Sequence, residues 1–264
     1  MIKNNTPFFD RSQALLEKAA KGQSSVLIVH GVRGVGQSDA VREMVSSVST
    51  VAGGLILEGR CTAHGTRPFE PIYDIVQTLQ RSASADCSPS LLSAVTARLA
   101  QAATQHSSAN GPQRRLDQLG GVRDRRVNRF EDVRRLLCEV AQKRTVLVVL
   151  HDVHLADEDT LGIVEYLVRD ADGGVPIIGA AAHRSTRPAF VVTLNDDMPE
   201  GRRCLRQFQA YSAVDSVAIA PLDEGGLASL IGEPALSSKL LRLTDGRPAR
   251  LRALVSALPN ELDD

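Results

Sequence analysis

Apolar positions along the chain change period several times, and each change marks an element. Residues 8–21 space their apolar side chains at the three-to-four interval of an amphipathic helix. Residues 24–30, SSVLIVH, form an apolar run closed by glycine, as a strand covered on both faces does. Helical spacing returns over 39–49, with Val41, Met44 and Val45 on one side. A second strand is predicted over 53–61 and a helix over 69–82. Residues 83–128, rich in Ser, Ala, Gln and Arg, read as an irregular insertion holding a helix over 89–103 and a loop over 104–115. Next come a helix over 130–143 and the β-branched run TVLVVLHD at 145–152. A helix over 157–171 follows, acidic in its first turn as the helix dipole favours. A strand over 175–183, a helix over 201–212 and a strand over 214–220 complete the alternation.

Strands alternating with helices predict an α/β fold, a parallel sheet with helices on both faces. The pattern from 222 onward is helical only. The chain therefore divides into a core over 1–221 and a small helical module over 222–264.

The junction between the first strand and its helix carries the sharpest chemistry. In GVRGVGQS, Gly31, Gly36 and Ser38 stand in the register of the phosphate-loop pattern GxxxxGK[ST], and Gly34 adds an inner glycine. Glycines let successive N–H groups turn inward round a phosphate, and the following helix N-terminus adds positive potential. The loop residues Gly31, Arg33, Gly34, Val35, Gly36, Gln37, Ser38 and Asp39 are thus the candidate cradle for ATP or ADP. Gln37 stands where the pattern has lysine, so a hydrogen-bond donor replaces a charge. Arg33 is the nearest substitute cation.

The strand 145–152 ends His151-Asp152 where a magnesium-holding strand ends in two acids. Magnesium prefers oxygen, so His151 is a poor replacement for the first acid, and Ser38 is the other metal-ligand position. Asp152 is the residual catalytic acid. The departures at Gln37 and His151 together argue against efficient hydrolysis.

Composition narrows the partners. Hydrophobic residues make up 43% of the 264, which excludes a disordered chain. The 31 basic and 31 acidic side chains cancel, which excludes a surface built wholly for polyanions. No apolar run approaches the roughly 18 residues of a membrane helix, and no apolar signal core opens the chain, so a cytoplasmic protein without membrane contact is expected. Cys61, Cys87, Cys138 and Cys204 lack metal or disulfide spacing.

Other readings compete. His151, His154, Asp157 and Asp159 resemble a metal cluster, but a polar strand exit followed by a helix cap explains them too. The words GQSDA round Ser38 resemble a hydrolase elbow, except that the serine comes too far after the strand. The run holding Arg114, Arg115, Arg123, Arg125, Arg126, Arg129, Arg134 and Arg135 reads as a solvated face, or as a contact for an anionic partner.

Five words occur in a familiar order: FFDRSQALLEKA, GVRGVGQS, LHDVHLADEDTLGIVEYLVR, AAAHRS and LTDGRPARLRALV. Together they resemble the AAA-like ATPase domains of the STAND class, and above all those of large LuxR-type transcriptional regulators. The resemblance implies a five-stranded P-loop core with a helical lid and an ATP/ADP switch. It implies that Arg11, in the lead-in Phe8-Phe9-Asp10-Arg11-Ser12, contacts the nucleotide. It makes Arg184 a sensor on the γ-phosphate side, and it places Gly246 and Pro248 of the lid near the base. The expected partner is a protein effector or regulator domain, with a homo-oligomer as an alternative and no direct nucleic-acid contact. An active ATPase using Arg33 and Asp152, and a nucleotide-free interaction scaffold, remain the competing functions.

Overall fold

The computed structural model describes residues 6–49, 54–63, 68–82, 84–107, 121–173 and 186–257. Strands β1 (Val26–Gly31), β2 (Leu55–Arg60), β3 (Val146–His151), β4 (Ala189–Asn195) and β5 (Val214–Ala218) make one sheet in the order β2-β3-β4-β1-β5. Every neighbouring pair is parallel. β3 and β4 are buried along their whole length, the edge strand β2 alternates buried and open positions, and in the edge strand β5 Val217 alone of the five residues is buried. That is the burial expected of a doubly covered parallel sheet.

Strand alternation sorts the side chains onto two faces. On one, Leu27, Val29, Leu147, Val149 and Val191 pack with helices α1 (Thr6–Ala20) and α2 (Gln37–Ser49) through Phe8, Leu15, Val41 and Met44. On the other, Val26, Ile28, Val148, Phe190 and Val192 meet a larger helical layer. Its members are α3 (Glu70–Ser82), α4 (Pro89–Ser107), α5 (Gly121–Ala141), α6 (Glu158–Ala171) and α7 (Pro199–Phe208). The chain then enters α8 (Glu224–Ile231), α9 (Pro234–Thr244) and α10 (Pro248–Ser256).

One expectation changes: the helix expected over 89–103 runs on as α4 to Ser107, α5 begins at Gly121 within the stretch read as irregular, and residues 108–120 lie outside the described residues. Leu92, Val95, Leu99 and Ala102 of α4 join the core, because their three-to-four spacing outweighs a polar composition. The strand expected over 175–183 lies outside the described residues, as does Arg184. Between β3 and β1 the sheet holds Ala189–Asn195, a run of seven buried residues.

Part of the arginine run departs from a solvated face, although Arg135 is exposed and Arg114 and Arg115 lie outside the described residues. Arg134 is 5% exposed and donates to both carboxylate oxygens of Glu131, with Asp170 at 3.7 Å. Arg126 pairs with Asp159 and lies over the Phe130 ring, and Arg129 lies over Phe69. Among the described residues no helix is long and apolar enough to cross a membrane.

Candidate functional site

The glycine loop leaves β1 at Gly31 and enters α2 at Gln37. Gly34 and Gly36 have φ of 87° and 101°, a region that favours glycine. A Cβ at Gly31 would lie 2.5 Å from the Ile219 carbonyl, so the loop closes tightly on the strand β5 exit. Val35 is buried in the core under the loop, an anchor rather than a lining group.

Gln37 is folded beneath the loop and is 7% exposed. Its Nε2 donates to the Gly31 carbonyl at 3.1 Å and to the Leu194 carbonyl at 2.8 Å. The side chain thus ties β1 to β4 and does not reach outward. Ser38 is half-buried in the first helical turn, which is the geometry of a phosphate loop and not of a nucleophile elbow. Asp39 accepts from Arg42 at 2.9 Å and from Arg252 of α10 at 2.8 Å. Burial pushes its carboxyl up, but the two guanidiniums outweigh that and hold it below its ordinary value.

His151 ends β3 and is 6% exposed. Its Nε2 lies 3.2 Å from Glu58, and its buried Nδ1 has no hydrogen-bond partner among the described residues. Asp152 turns into the left-handed region, with φ 57°. Its carboxylate accepts from Arg60 Nη1 at 2.5 Å, and its N–H donates to Thr193 Oγ1 at 3.0 Å. The residual acid is therefore paired with a guanidinium. Asp157 caps α6 by accepting from the Asp159 and Thr160 amides. Among the described residues no group of three His, Cys, Asp or Glu side chains is placed to hold a metal.

The turn after β4 brings in residues that sequence reasoning missed. The Asp196 N–H donates to the Gly31 carbonyl at 3.1 Å, and its carboxylate lies 2.7 Å from His30 Nδ1. Asp197 Oδ2 accepts the Arg33 amide at 3.2 Å. Arg202 Nη1 of α7 donates to the Asp196 and Asp197 carbonyls at 3.0 and 3.1 Å. Gly201 lets α7 approach, since a Cβ there would lie 1.7 Å from the Asn195 carbonyl.

Asn195 is clamped by His154. Its backbone N–H donates to His154 Nδ1 at 3.3 Å, and its side-chain Nδ2 lies 3.0 Å from Nε2. An amide N–H can only donate, so Nδ1 accepts and the neutral ring carries its proton on Nε2; with the Asn195 amide assigned the other way round, its oxygen accepts that proton. Burial lowers the His154 pKa against the pull of Asp152, Asp197 and Glu200, which agrees with this neutral ring.

The C-terminal helices contact the loop. Ala249 N–H donates to the Gly34 carbonyl at 3.1 Å, and Arg247 Nη1 to the Arg33 carbonyl at 3.2 Å. Pro248 stands at the start of α10, next to this contact. Gly246, at φ 66°, is needed because a Cβ would lie 2.1 Å from the Leu222 carbonyl. The structure thus assembles Gly31 to Asp39, the β3 exit and Pro248 on one edge. Arg11 is elsewhere: it pairs with Asp215 and donates to the Ser216 carbonyl at 2.6 Å. Asp215 is in register with Leu27, four positions before Gly31, which is about 13 Å along a strand.

A parallel sheet in this order, with a glycine loop between its first strand and helix and a polar exit from β3, defines a P-loop α/β nucleotide-binding fold. A family model described as an AAA ATPase domain matches residues 10–178, more than half of the sequence, and the chain belongs to that family. Comparison with curated proteins finds no match. Among solved structures, the Aeropyrum pernix ORC2 protein, in ADPNP-ADP complexes, is similar at 13% identity and a TM-score of 0.53. The similarity covers 95% of this chain and 60% of that one. Drosophila ORC bound to DNA is similar at 13% identity and a TM-score of 0.52, over 97% of this chain and 57% of that one. The chain thus spans less than two thirds of these neighbours, and at such identity the likeness is one of fold.

Proposed function

We propose that this domain is a regulatory nucleotide-binding module with weak or no ATPase activity, of the STAND kind found in LuxR-type regulators. It acts through protein contacts on an effector in transcriptional or signal control. The observation that carries this is Gln37: the side chain at the lysine position is uncharged, buried and committed to two backbone carbonyls. The loop's backbone amides still suit the phosphates of ATP or ADP. The donor set does not suit magnesium, since His151 offers nitrogen and Asp152 is paired with Arg60. The lid contacts to Arg33 and Gly34 give a route by which a bound phosphate would move the helical module. A homo-oligomer is an alternative means of signalling, and direct nucleic-acid binding by this chain is not part of the proposal.

Titration with fluorescent ADP and ATP analogues, with and without magnesium, tests this reading. Saturable binding that magnesium alters by less than about threefold is expected. Steady-state phosphate release should match that of Asp152→Asn. Release that Asp152→Asn abolishes would establish the active ATPase, and no binding of either nucleotide would leave the scaffold.

A further inference from the structure

We propose that Asp197 makes this loop select a nucleoside diphosphate over a triphosphate, an inference that rests on the loop binding nucleotide at all. Asp197 Oδ2 already accepts the Arg33 amide, as a phosphate oxygen would. The inner phosphates belong to the amides at the α2 N-terminus, round Gly36 to Asp39. A third phosphate would need a further amide of the loop, and the Arg33 amide, four residues before that terminus, is already held by Asp197 at the exit of β4.

Charge acts in the same direction. Asp152 is paired with Arg60, and Asp196 faces His30. Asp197 has an amide partner, and no ion pair of its carboxylate is found among the described residues. Asp152, Asp197 and Glu200 all act on the neighbouring His154, opposed there by Arg33. Arg33 and Arg202 also attract the added charge, but Arg202 is committed to the Asp196 and Asp197 carbonyls, and Gln37 adds no charge where a lysine would. The added charge of a third phosphate therefore meets an acid at its nearest amide. Seating it requires Asp197 to leave the Arg33 N–H and the turn to shift, against the Arg202 and His30 contacts that hold it. A diphosphate requires neither movement.

Calorimetric titration of the whole chain with ADP and with a non-hydrolysable ATP analogue tests the proposal. The wild type should bind ADP at least about tenfold more tightly than the analogue, an effect that fades with added salt. Asp197→Asn keeps the shape and an acceptor for the Arg33 amide. It should cut the preference about tenfold by tightening the triphosphate, with ADP affinity held within about threefold. Asp197→Ala should do the same if the Asn variant folds poorly. Measurable ADP binding with equal or tighter triphosphate binding, or a preference unchanged in both variants, overturns the selectivity and leaves the nucleotide reading standing. Failure of all three proteins to bind either nucleotide overturns both.

Discussion

Replacing Gln37 tests whether the lysine position has become a structural tie. Its two hydrogen bonds, at 3.1 and 2.8 Å, join the end of β1 to β4 in a buried place. Gln37→Met keeps the length of the side chain and removes both donors. At about 1 kcal/mol net for each bond, the loss is about 2 kcal/mol, more if the Leu194 carbonyl is left orphaned. The Gly31 carbonyl keeps the Asp196 amide. For a domain of this size 1 kcal/mol moves Tm by about 2–4 °C, so thermal unfolding followed by circular dichroism should show a fall of about 4–8 °C. Gln37→Lys restores donors to the same carbonyls and brings a charge to the loop. Its Tm should recover most of that loss, and ADP affinity should rise at least about tenfold. A Gln37→Met protein as stable as the wild type would refute the tie. A Gln37→Lys protein with no gain in affinity would refute the phosphate cradle.

Three further outcomes follow from the same geometry. Gly34→Ala forces a side chain into φ 87° against Ala249 Cβ at 3.1 Å, which should cost about 1–2 kcal/mol and deprotect α10 amides in hydrogen exchange, and unchanged protection would contradict the lid contact. Asp39, held below its ordinary value, supports the fold above the unfolded carboxyl's pKa of about 4, and that support is lost as pH falls through its lower folded value. The Tm gap between wild type and Asp39→Asn should therefore close below about pH 4, and a gap that persists would discount the Arg252 and Arg42 pairing. The Cys61 thiol is pushed up to about 12, chiefly by burial and then by Asp157, Asp152 and Glu70, so iodoacetamide should label it only after unfolding; rapid labelling of the native protein, read by mass spectrometry, would contradict its burial.

Local signals in the chain determined the elements that lie next to one another. The run 24–30, the glycines to Ser38 and the spacing after them specify a strand, loop and helix within a short stretch, and the structure has all three. The same holds for β3 and α6, with Asp157 capping the latter. The expected change to helices after β5 is also present, as α8, α9 and α10. Within 83–128 the helix expected over 89–103 is present as α4, whereas the polar composition hid the start of α5. The apolar run 189–194, which the sequence reading does not assign to a strand, forms β4 and carries Asn195, Asp196 and Asp197 at its end; a polar ending on an apolar run is the signal that finds them.

What the tertiary structure alone decided is which side chains meet. Gln37 and Leu194 are 157 positions apart, Arg33 and Asp197 are 164, and Arg252 and Asp39 are 213. Periodicity reports the face a residue occupies within its own element, whereas a hydrogen bond across the sheet depends on strand order and register. The order β3-β4-β1 is what brings the Asn195–Asp197 turn between the glycine loop and the β3 exit. Residue types therefore made a glycine loop of the phosphate-loop pattern legible in the chain, and the packing of distant segments settled that its lysine substitute points inward and that an aspartate faces its amide.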